Sequence, residues 1–164
     1  MSLLSCLPSI LLFLLSVTFA HSQWLDFIDV TDSHLSLSTV ANSDNEEKDF
    51  EPADLNNDGF TDLIVARKVP FSLDVDAPKT DLLLMNVGGE LVDQTELYAP
   101  GFLDKPTHAR DLFIGDFDND GWQDVVFANT FEQEPLYYRN LANDSEGNWL
   151  GLADETAQRI PAQL

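Results

Sequence analysis

One thirteen-residue run occurs twice in this chain and constrains its fold more than any other feature. The first copy is Asp54-Leu55-Asn56-Asn57-Asp58-Gly59-Phe60-Thr61-Asp62-Leu63-Ile64-Val65-Ala66. The second is Asp116-Phe117-Asp118-Asn119-Asp120-Gly121-Trp122-Gln123-Asp124-Val125-Val126-Phe127-Ala128, and it begins 62 residues later. Asp49 and Asp111, upstream of the two runs, keep the same offset. Self-similarity at a fixed interval marks a repeat architecture. Each repeat is one supersecondary unit, and it buries its apolar face only by stacking on a neighbour.

Two further elements recur. Phe27-Ile28-Asp29-Val30-Thr31 is matched by Leu91-Val92-Asp93-Gln94-Thr95 and by Leu152-Ala153-Asp154-Glu155-Thr156. Leu82-Leu83-Leu84-Met85-Asn86 is matched by Leu136-Tyr137-Tyr138-Arg139-Asn140. Each unit therefore offers four short β-branched or aromatic runs divided by Asp/Asn/Gly turns. In the second unit these are residues 112–114, 125–128, 136–139 and 149–153. Short strands at regular spacing predict an all-β chain. Four strands in one repeat make one propeller blade. The expected fold is a partial β-propeller, with two four-stranded blades (units 48–107 and 108–164) and an extra N-terminal strand at residues 27–31. Residues 96–108, rich in Pro and Gly, read as a connecting loop, and no helical period is evident in residues 23–164. Gly88-Gly89 reads as a hairpin turn.

The duplicated run has the layout of a cation-binding loop. Counted from its first Asp, side-chain oxygens fall at positions 1, 3, 5 and 9, with Gly at position 6 to allow a sharp turn. The candidate ligands are Asp54, Asn56, Asp58 and Asp62 in the first copy. In the second they are Asp116, Asp118, Asp120 and Asp124. The backbone carbonyls of Phe60 and Trp122 at position 7 complete each set. An all-oxygen donor set selects a hard cation, and Ca2+ accepts such irregular cages more readily than Mg2+. Neither copy contains His or Cys, which argues against zinc. An EF-hand needs a bidentate Glu at position 12, where this chain has Val65 and Phe127 in strand-forming runs. The competing reading is a metal-free Asx turn, in which the side chains only cap backbone amides. Repetition of the full ligand spacing favours the metal. With four acids in the second copy against three in the first, charge count predicts the second as the tighter site.

Charge narrows the partners. Asp and Glu number 29 against 8 Lys and Arg, a formal net charge of −21. This excess argues against nucleic acid and anionic membrane surfaces as partners. Residues 1–22 resemble a secretory signal peptide: an uncharged apolar block, then small residues around Ala20 and Ser22, though with no Lys or Arg near the start. Cleavage there leaves no membrane span and places residues 23–164 outside the cell, in the periplasm or at the cell surface. The only cysteine, Cys6, lies within that segment, so disulfides cannot hold the remaining chain together and a bound metal is the natural alternative. Asn143-Asp144-Ser145 is a glycosylation sequon.

The two loops, the Phe-x-Asp-Val-Thr element and the Leu-x-x-x-Asn run together resemble FG-GAP/VCBS repeats, which build integrin-α-like β-propellers. The segment 108–121 carries the closest likeness, and the resemblance spans nearly all of residues 24–164. It implies calcium at loop positions 1, 3, 5 and 9, with Asn56 departing from the acidic pattern. It also implies an extracellular binding, adhesion or scaffold module with a protein or carbohydrate ligand. Closed propellers hold roughly 4–8 blades, so the two units read as the first part of a larger one or as a truncated gene product. The alternative is part of a larger secreted propeller enzyme, such as a polysaccharide lyase, whose catalytic part lies elsewhere. No nucleophile–base pair or acid/base constellation stands out in this sequence, so the chain itself is expected to be non-enzymatic.

Overall fold

The computed structural model describes residues 28–36, 47–68 and 78–161. The expected signal peptide, residues 1–22, lies outside them. Strands β1 (Leu35–Ser36), β2 (Glu47–Ala53), β3 (Asp62–Arg67), β4 (Leu82–Val87) and β5 (Glu90–Asp93) form one sheet in the order β1-β5-β4-β3-β2. Strands β6 (Ala109–Gly115), β7 (Asp124–Asn129), β8 (Leu136–Asn140) and β9 (Leu152–Asp154) form the other, in sequence order. Strands β2 to β5 and β6 to β9 each pair antiparallel with the next. The chain thus folds into two four-stranded blades, and together they close no barrel. The Gly88-Gly89 pair turns β4 into β5 with φ of 65° and 98°. Both central residues of a two-residue type I′ turn require this left-handed region.

The extra N-terminal strand exists, but not at residues 27–31. Phe27 lies outside the described residues, and 28–30 adopt no regular structure. Thr31–His34 form a single helical turn, α1, and the strand is the following pair, Leu35–Ser36. It runs parallel to β5 along the outer edge of the first sheet, with Leu35 opposite Leu91. The Asp-x-Thr element behaves alike in all three copies. Asp29 Oδ1 accepts from Thr31 N at 3.0 Å and from Thr31 Oγ1 at 2.7 Å. Asp93 accepts the same pair from Thr95, and Asp154 accepts from Thr156 N. The element is a strand-to-helix corner. The helical turns α2 (Thr95–Tyr98) and α4 (Thr156–Arg159) follow the later copies. Residues 96–108 are therefore not purely a loop, since they also hold α3 (Pro100–Asp104), which has its proline at the first helical position, where a missing N–H costs nothing. Helices of one turn are too short to display an amphipathic period, so the sequence gives no sign of them.

The blades stack head to tail. Ile64, Ala66, Leu83 and Met85 of the first sheet meet Leu112, Val125, Phe127, Leu136 and Tyr138 of the second in one shared core. Phe102 of α3 seals it, edge-on to both Phe127 and Tyr138. Alternate residues of the first sheet, Val65, Leu82 and Leu84, point the other way and pack with Leu35, Leu63 and Leu91. Under the repeat alignment, Leu63, Val65, Leu82 and Leu84 correspond to Val125, Phe127, Leu136 and Tyr138. The face that is outward on the first blade is thus inward on the second. By the same rule, the outward face of the second blade carries Val126, Ala128, Tyr137 and Arg139. These stand where the first blade has Ile64, Ala66, Leu83 and Met85.

At the end of the blades away from the loops, polar groups tie the first sheet to the segment that leads into β6, and one contact crosses to the second unit. Buried Asp81 accepts from Arg67 N at 2.8 Å and from Thr107 Oγ1 at 2.7 Å. Lys79 and Thr107 exchange backbone hydrogen bonds, and Lys68 Nζ donates to Thr130 Oγ1 at 2.6 Å. On the inner strands, Asp49 Oδ2 accepts from Leu112 N at 3.0 Å across the blade boundary. The Asp49 and Asp111 carboxyls also share a hydrogen bond, which pushes Asp111 up. The repeated Asp therefore serves blade-to-blade contact.

Candidate metal centre

Each duplicated loop joins the first strand of its blade to the second, β2 to β3 and β6 to β7. The two copies fold alike. Asp54 Oδ1 accepts from Asp58 N and its Oδ2 from Gly59 N, at 3.0 and 2.9 Å. Asp116 accepts from Asp120 N and Gly121 N at 3.1 and 3.0 Å. Asn56 and Asp118 at position 3 accept from the same position-5 amides, at 3.1 and 3.2 Å. Asp58 and Asp120 accept from Phe60 N and Trp122 N. Gly59 and Gly121 sit at φ of 89° and 91°, and Asn57 and Asn119 are also left-handed. This backbone needs Gly at position 6 and tolerates Asn at position 4.

The turn draws the position-1, -3 and -5 side chains together. Asp116, Asp118 and Asp120 each present a carboxylate oxygen within 4.8 Å of the others, a grouping that can hold a metal ion. Each carboxylate keeps lone pairs beyond the N–H groups it accepts, so the Asx-turn bonding and cation ligation are compatible. In the first copy Asn56 Nδ2 donates to Asp58 Oδ2 at 2.9 Å, so the amide's oxygen faces the Asp58 amide N–H. The position-7 residues differ: Phe60 is exposed, while Trp122 packs against the edge of the main core.

The position-9 acids sit apart from these groups, and both are buried. Asp62 accepts from Leu55 N and Asn86 N at 3.0 and 2.8 Å. Asp124 accepts from Phe117 N at 3.3 Å and Asn140 N at 2.9 Å. It also takes the Tyr137 hydroxyl at 2.6 Å. Each ties its loop to the third strand of the blade through the Asn that ends the Leu-x-x-x-Asn run. Asn86 and Asn140 then donate their side-chain amides to the carbonyls just before the position-9 Asp, Thr61 O and Gln123 O. Burial, against the Asn86 and Leu55 N–H groups and with the nearby charges of Asp58 and Asp54, holds the Asp62 carboxyl above its ordinary value.

Residues 54–127 match the model of the FG-GAP-like repeat family. Over that stretch the chain is similar to an FG-GAP-like repeat. The matched stretch opens on the first loop and closes one strand beyond the second, so both loops fall within the FG-GAP-like sequence. Comparison with curated proteins and with solved structures gave no match.

The sequence pattern singled out the loop residues but passed over Arg139, Arg159, Tyr137 and the two Asn clasps. Arg139 Nε donates to Asp118 Oδ2 at 2.9 Å and its Nη2 to Asp120 Oδ2 at 2.7 Å. Arg159, on α4, reaches the same Asp118 Oδ2 at 3.0 Å and lies over the Tyr137 ring. Burial works to raise Asp118, but the bonds from the two guanidinium groups outweigh it and hold the carboxyl below its ordinary value. The signal for Arg139 was present in the repeat alignment, since it stands opposite Met85 of the first unit. The sequon Asn143 is exposed, on a turn where Asp144 accepts from Glu146 N and Asn148 N. Among the described residues no helix is long and apolar enough to cross a membrane.

Proposed function

We propose that this chain is a secreted, calcium-binding β-propeller repeat module, non-enzymatic itself, that engages an extracellular protein or carbohydrate in adhesion or scaffolding. The observation that carries the calcium reading is the convergence of Asp116, Asp118 and Asp120 on one point, in a loop whose backbone is repeated bond for bond at Asp54, Asn56 and Asp58. Carboxylate, amide and carbonyl oxygens with no nitrogen or sulfur donor suit Ca2+. Bound metal offsets the mutual repulsion of the loop carboxylates and stabilises the folded form by mass action. An open groove of ≈ 340 Å³ beside the first loop, lined by Asn56, Asp58, Phe60, Gln94, Tyr98 and Trp149 among others, supports the ligand reading. It offers amide, carboxylate and aromatic groups together.

The test is calorimetric titration of the full chain with Ca2+, Mg2+ and Zn2+. Calcium is expected to bind with an affinity in the extracellular range, about 10⁻⁴–10⁻³ M, and chelation is expected to lower the melting temperature. Absence of heat with calcium, or a preference for zinc, rejects the reading.

A further inference from the structure

The two loops share a backbone but not an electrostatic setting, and the difference lies in one aligned position. Met85 precedes the Asn clasp of the first blade and is buried against the second sheet, 4% exposed. Arg139 occupies that position in the second blade, on the face that no further sheet covers among the described residues, with 30% of its side chain exposed. An uncovered position can hold a charge that a position between two sheets cannot. From there Arg139 spans Asp118 and Asp120 of its own blade's loop, while Arg159 comes from α4 to the same Asp118 oxygen. Asp118 Oδ1 and Asp120 Oδ1 already accept backbone N–H groups. The guanidinium groups thus take Oδ2 of each, the oxygens of these two carboxylates that accept no backbone N–H, and so compete for acceptor capacity that a cation needs.

Resting on the calcium reading above, we infer that Arg139, supported by Arg159, is a built-in counter-ion of the second loop. It competes with the metal and makes this acid-rich loop the weaker calcium site. In the second loop, two of the four acids, Asp118 and Asp120, are paired with two guanidinium groups. In the first loop, Asp54, Asp58 and Asp62 have no ion-pair partner among the described residues. Charge count alone puts the second loop ahead, and the pairing reverses that order. A two-point guanidinium–carboxylate contact is geometrically specific. It is also partly exposed, and therefore displaceable at sufficient calcium. The first loop then fills as a constitutive structural site. The second fills only when calcium is high enough to free Arg139, which gives the module a graded response from two copies of one loop.

The test uses the full chain, its Arg139→Met variant (the first unit's residue at this position) and Tb3+ as a luminescent calcium substitute. Trp122, inside the second loop, sensitises terbium bound there. An Asp58→Ala background removes the first loop from the calorimetry. Arg139→Met is expected to tighten the second loop ~tenfold, the scale of one to two displaced, partly exposed ion pairs. It should leave first-loop binding unchanged. In the wild type, the Arg139 Nε resonance is expected to move only in the second phase of a calcium titration, and this reading needs no variant to fold. Unchanged or weakened second-loop affinity in Arg139→Met, or an Arg139 resonance indifferent to calcium, overturns the inference while first-loop binding leaves the calcium reading standing. If neither loop binds in any form of the chain, both fall.

Discussion

Asn140 Nδ2 donates to the carbonyl oxygen of Leu55 at 2.8 Å, joining the third strand of the second blade to the duplicated loop of the first across 85 residues of chain. Asn140 is fully buried, and none of its side-chain hydrogen-bonding capacity is idle. Its Nδ2 also donates to Gln123 O, its Oδ1 accepts from Trp149 Nε1 and Ala142 N, and its backbone N–H goes to Asp124. One side chain thereby fixes both loops, so loop geometry and blade stacking are a single cooperative unit.

Removal of that side chain strands several buried partners at once. Asn140→Ala is expected to lower the unfolding free energy by about 2–4 kcal/mol, since each buried group left without a partner costs about 1–3 kcal/mol. Urea denaturation should show a lower midpoint at unchanged slope. Calcium affinity of the first loop should fall with it, although Asn140 touches no ligand there. A midpoint within error of wild type contradicts the clasp.

Gly151 marks a second contact that permits no side chain. Its φ is +83°, and a Cβ added there would lie 2.3 Å from the carbonyl oxygen of Tyr98. Gly151→Ala is expected to destabilise by more than about 2 kcal/mol, combining left-handed strain with overpacking against backbone. Gly147 shares a positive φ but meets nothing within 4 Å, so Gly147→Ala should cost about 1 kcal/mol, the backbone term alone. Equal melting temperatures for the two variants would show that the Tyr98 approach does not matter.

Asp81 sets a pH dependence. Burial pushes its carboxyl up to about 7, against the bonds from Thr107 and Arg67 N–H and the charge of Arg67. The unfolded value is about 3.9. The folded state therefore binds this proton more tightly. The stability it contributes is complete below pH ~4 and is lost as pH rises towards ~7, with a slope on the order of 1 kcal/mol per pH unit at most. Asp81→Asn removes the titrating group and keeps an acceptor for Thr107. The stability difference, wild type minus variant, should be larger at pH 5 than at pH 8. A difference that stays constant across that range refutes the assignment.

The loops and the strands around them were legible in the sequence because their causes are local. Alternate Asp and Asn side chains bond backbone amides two to five residues away, and Gly59 and Gly121 admit a φ that few other residues accept. The Leu-x-x-x-Asn runs gave the third strands for the same reason. The Asp-x-Thr element recurs just as plainly, but its geometry misled: the Asp–Thr bonds close a corner, so the N-terminal strand falls four residues after Thr31 rather than on residues 27–31. Tertiary structure alone decided what depends on which sheet covers which face. Met85 and Arg139 hold the same place in the repeat, yet one lies between two sheets and the other does not, so only the second can carry a charge to its loop. Position 9 follows the same logic. Asp62 and Asp124 share the spacing of the loop acids, but they are buried beneath the third strand, where they accept from Asn86, Asn140 and Tyr137. Spacing fixes what a turn brings together locally. Burial, which the packing of distant strands sets, decides whether a carboxylate faces a cation, an arginine or a backbone amide.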